Sequence, residues 1–65
     1  MIDALKLKIE WAFRVVDARE IRIADAIAHH AIAAEVRSLR AELGAARRTL
    51  RRLQDQLGAA MRAGR

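Results

Sequence analysis

Sixty-five residues without a single Cys allow at most one small domain, with no disulfide and no Cys-based metal site. A monomer this short buries only about 60% of its unfolded surface, and 15 of its apolar residues are Ala, leaving 20 larger side chains for a core. The absence of Pro, the rarity of Gly and the weight of Ala, Leu, Arg and Glu suit long helices, and association with other chains is the expected route to stability.

The N-terminus is not basic, and Lys6, Lys8 and Glu10 interrupt what would be the apolar core of a signal peptide. No run approaches the ~20 apolar residues that span a bilayer. The expected location is cytoplasmic or virion-associated, and membrane association is not favoured: Leu7, Trp11 and Phe13 beside Lys6, Lys8 and Arg14 fit a protein interface better than a lipid surface.

Residues 1–34 read as an amphipathic segment for docking or bundle formation. Ile2, Leu5, Ile9, Ala12, Phe13, Val16, Ile23 and Ile27 form one helical stripe. Lys6–Glu10, Glu10–Arg14 and Arg22–Asp25 stand at spacings that support a helix. Leu5, Leu7, Ile9, Trp11, Phe13 and Val15 also alternate at period two, a strand pattern. The stretch Asp17-Ala18-Arg19-Glu20 lacks a Gly, Asn or Pro to turn a second strand back, so helix is expected. Leu7, Trp11 and Val15 lie off the stripe, and a helix apolar on more than one side is buried by more than one neighbour. The predicted partner-docking residues are Ile2, Leu5, Ile9, Trp11, Phe13, Val16, Ile23 and Ile27.

Asp25 and His29 stand one turn apart, but three or four ligands with supporting groups are needed for a metal. No metal or other cofactor is expected. His30 continues the phase of Ile2, Ile9, Val16 and Ile23 and is expected to pack in an interface.

Residues 35–62 read as a coiled-coil segment, and 63–65 as a frayed C-terminus. Val36, Leu39, Leu43, Ala46, Leu50, Leu53, Leu57 and Ala60 recur at alternating steps of three and four, the seam of an oligomer. With Val36 at position a, Glu35 and Arg40, and Glu42 and Arg47, form g-to-e′ pairs that favour parallel association. The two apolar faces of the chain are out of phase by roughly 140°. The expected architecture is all-α: a long helix, continuous or kinked, in a coiled-coil oligomer. A hairpin dimerising into a four-helix bundle is the alternative.

Charge divides between the halves. Residues 1–35 sum to −1 and residues 36–65 to +6. Arg47, Arg48, Arg51 and Arg52 are the candidate nucleic-acid contacts; the competing reading is a solvated outer face, with Arg51 paired to Asp55. With no Tyr, one Ser, one Thr and no Gly-rich loop, the chain is not expected to be an enzyme. The expected function is a structural, assembly or adaptor protein. It would self-associate and dock its N-terminal segment on a larger protein partner, as in a minor virion component or a complex-stabilising subunit. A nucleic-acid-binding homodimer and a small helical inhibitor of a larger protein are the alternatives.

Overall fold

Two stretches of strong helix formers, each with an apolar stripe, become two helices. The computed structural model describes residues 2–64, and they form α1 (Ile2–Ala28, 27 residues) and α2 (Ala33–Ala63, 31 residues). Residues 5–15 are helical throughout, which removes the strand alternative. Met1 and Arg65 lie outside the described residues. The end expected to fray is helical as far as Ala63, and the Gly64 N–H bonds to the Ala60 carbonyl at 3.0 Å.

The helices are not one long rod. The chain reverses at His29–Ile32 and α2 packs back along α1 as an antiparallel hairpin, 52 Å long and one helix thick. The reversal is built from backbone bonds. His30 takes a left-handed conformation, φ 57°. Its N–H donates to the Ile27 carbonyl at 3.1 Å, and the Ala31 N–H reaches back to Ala26 at 2.9 Å. This is the bond pair of a left-handed C-cap, which satisfies carbonyls that the end of a helix leaves open. His30 is therefore an exposed turn residue and takes no part in the seam of the hairpin. Ile32 occupies the N-cap of α2 in extended conformation and offers no side-chain bond to the orphan N–H groups. The turn also accounts for the phase difference between the two apolar stripes. A continuous helix would carry them to different sides, whereas a loop can re-aim the second stripe at the first.

The core is a single seam between the helices. Ile9, Ala12 and Val16 of α1 and Leu43 and Leu50 of α2 are buried, and Leu5, Ile23, Ala46, Leu53 and Leu57 pack around them. On α1 the inward positions run Ile2, Leu5, Ile9, Ala12, Val16, Arg19, Ile23 and Ala26, in alternating steps of three and four. This register matches that of α2, as two helices sharing one seam require. Among the described residues no side chain is buried completely, because a two-helix layer has one inner face only.

Candidate interaction surface

All eight α2 residues expected to form an oligomer seam are buried or half-buried against α1. Their first partner is therefore the chain's own N-terminal half. Of the residues in the g-to-e′ pairs, Glu42 and Arg47 take partners across the hairpin. Arg47 Nη2 reaches Glu20 Oε1 at 3.1 Å, and Arg19 Nη1 reaches Glu42 Oε2 at 3.5 Å.

The residues expected to dock a partner divide into two groups. Ile2, Leu5, Ile9, Val16 and Ile23 face α2. Trp11, Phe13 and Ile27 face away from the seam and are exposed, together with Leu7, Ile21, Ile32 and Met61. Trp11 and Leu7 each keep 66% of their surface open. A large aromatic left this exposed on a rigid helix is the type of group that anchors protein interfaces.

Leu7, Trp11 and Val15 recur at steps of four and stand as a ridge along one side of the hairpin. Between this ridge and α2 runs an open groove of about 510 Å³, floored by Ala12, Ala46 and Leu53. Thr49 borders it, and its hydroxyl donates to the Ala45 carbonyl at 3.2 Å, so its polar atom is already engaged within the helix. Towards the turn the same side becomes polar, with Arg22, Asp25, His29 and Glu35 around a second hollow. Towards the open end it is bordered by Lys8 and Gln56.

His29 Nδ1 lies 3.3 Å from the Asp25 carboxylate and 2.8 Å from the Asp25 carbonyl, on open surface. Among the described residues no group of three His, Cys, Asp or Glu could hold a metal ion, and no helix is long and apolar enough to cross a membrane. Arg47, Arg48, Arg51 and Arg52 are all exposed on α2. Arg47 is tied to Glu20, so the four do not act as one free cluster.

Sequence reasoning put Phe13 and Ile27 on the same stripe as the residues that face α2, and missed Arg19 and Ala26 as seam positions. The signal that separates them is the strict alternation of three and four steps, which includes Arg19 and Ala26 and excludes Phe13 and Ile27. No protein-family model, curated protein or solved structure matches this chain.

Proposed function

We propose that this chain is a non-enzymatic assembly or adaptor module that self-associates as a helical hairpin and offers apolar surface to a larger protein. The observation that carries this reading is that the heptad seam is used up within the hairpin while Leu7, Trp11, Phe13, Ile21 and Ile27 stay open on α1. Exposed large apolar groups on a small monomer cost solubility and give it no stability, so they fit a surface that is covered in use. The hairpin has two such sides. Leu7, Trp11 and Val15 border the groove, and Phe13 and Ile27 stand on the opposite flank, where a larger partner would dock. A minor virion component or a complex-stabilising subunit fits this description. Sedimentation velocity of the pure protein tests self-association: a species heavier than one chain at micromolar concentration supports it, and a helical monomer there refutes it.

A second reading, nucleic-acid binding, is favoured by one observation. Arg48, Arg51 and Arg52 are exposed on the outer side of α2, with Asp55 the nearest acid in sequence. Such a ridge binds phosphates without sequence preference and with strong salt dependence. Replacing the three Arg with Gln would abolish binding to a random-sequence duplex at low salt; unchanged binding, or none by the wild type, removes this reading.

A further inference from the structure

We infer that the occupant of the Leu7–Trp11–Val15 groove is a second copy of this chain, packed with its turn at the same end and with α1 of each copy over α2 of the other. The inference rests on the self-association proposed above and supplies its surface and orientation.

Area is the first argument. The hairpin exposes 5248 Å², whereas a compact monomer of 7.3 kDa exposes about 4,200 Å². The excess is roughly 1,000 Å², close to the ~800 Å² that each partner buries in a stable interface. One further helical layer on the groove side accounts for it. A second copy provides that layer and turns a one-sided seam into a four-helix core.

Charge favours one orientation. On the groove side α1 carries Lys8 and Arg22, seven residues before and after Val15, with Asp25 held beside His29; α2 carries Glu35 and Arg52, and Glu42, which Arg19 of the same copy already engages. If α1 lay over α1 of the second copy, with the turns at opposite ends, a two-fold axis at Val15 would set Lys8 against Arg22. If α1 lies over α2, with the turns together, Arg22 stands near Glu35 of the other copy. Arg22 and Glu35 already border the same hollow within one copy, so they lie at similar heights along the hairpin.

Side-chain size agrees with the same arrangement. Ala4, Trp11 and Ala18 follow one another at seven-residue steps on the outer edge of α1's groove side. Ala59, Arg52 and Ala45 do so on α2, in the opposite chain direction. With the turns together, small residues meet small residues at two levels. Trp11 then meets the guanidinium of Arg52, a favourable cation–aromatic pair.

The chain has one Trp and no Cys, so both features can be read directly. A spin label at Ala33→Cys, at the turn, is expected to give an inter-copy distance under about 25 Å, given helix spacings of 8–10 Å. Turns at opposite ends would give a distance approaching the 52 Å length of the hairpin, which would overturn the orientation. Trp emission is expected to shift to the blue with rising concentration, in step with dimer formation. Arg22→Glu is expected to weaken the dimer at least tenfold, and Arg22→Glu combined with Glu35→Arg to recover most of the loss. A dimer whose Trp emission never shifts, and which Arg22→Glu leaves intact, refutes this interface while leaving self-association standing. A monomer at all concentrations removes both.

Discussion

Arg19 and Glu42 are 23 residues apart in sequence, and their side chains meet across the hairpin at 3.5 Å. Arg19 stands where the α1 register calls for a core residue, and it is half-buried rather than buried. Its aliphatic stem lines the seam while its guanidinium reaches the α2 carboxylate at the edge, as long cationic side chains commonly do. This pair and Glu20–Arg47 tie α1 to α2 near mid-hairpin. Both remain open to water, so their contribution is small. A double-mutant cycle with Arg19→Gln and Glu42→Gln is expected to return a coupling of about 0.2–1 kcal/mol that shrinks as salt is added. A coupling of several kcal/mol would mean that the pair is shielded from solvent.

The seam carries the stability. Leu50 is among the most buried residues and belongs to the central cluster. Leu50→Ala is expected to cost about 2–3 kcal/mol, the lower part of the range for core Leu because the site is not sealed on every side. Chemical denaturation followed by far-ultraviolet circular dichroism measures it. Leu7→Ala, on open surface, should cost less than about 0.5 kcal/mol in the monomer.

The turn is under-optimised at both ends. His30 pays a left-handed conformation with a Cβ, and Ile32 is a weak N-cap. His30→Gly removes the steric penalty, and Ile32→Asp supplies an oxygen for the first orphan N–H groups of α2. Each is expected to stabilise the hairpin by about 0.5–1 kcal/mol. Thermal melts of the two variants and their combination test this. A loss of stability on His30→Gly would show that the residue does not hold the left-handed position in solution.

Gly44 and Gly58 begin the same order, Gly-Ala-Ala after Leu, two heptads apart on α2. A Cβ at Gly44 would meet only the Arg48 guanidinium at 3.5 Å, and one at Gly58 the Arg62 guanidinium, nearest at 3.4 Å. Both neighbours are ends of flexible side chains at ordinary contact distance. Gly44→Ala and Gly58→Ala are each expected to stabilise the hairpin by about 0.5–1 kcal/mol through helix propensity, raising Tm by a few degrees. A lowered Tm would mean that another surface presses on those positions.

The α2 face was fully legible in sequence, since every seam residue from Val36 to Ala60 is buried or half-buried. Strict heptad spacing of Leu leaves little freedom in assigning a helical face. On α1 the reading was partial. A broad 3.6-residue stripe admits Phe13 and Ile27, and the packing partner then selects the narrower face containing Ala12, Arg19 and Ala26. The reversal was legible only as the alternative to a rod. His29-His30-Ala31-Ile32 contains no Gly, Pro, Asn or Asp, and the turn is stabilised by backbone bonds and by the pairing of two distant stripes. The clue was the phase offset between those stripes, which a loop resolves and a rod does not. The groove side of α1 was visible only as apolar residues lying off the main stripe.

The most direct test of assembly through that side is sedimentation equilibrium of the wild type beside Trp11→Glu, with circular dichroism on the same samples. Trp11 is largely exposed in the single hairpin, so its replacement should leave the helices intact. The expected result is a wild-type dimer and a Trp11→Glu monomer of equal helicity. A wild type that stays monomeric across the micromolar range, or a Trp11→Glu variant that dimerises as strongly as the wild type, would contradict it.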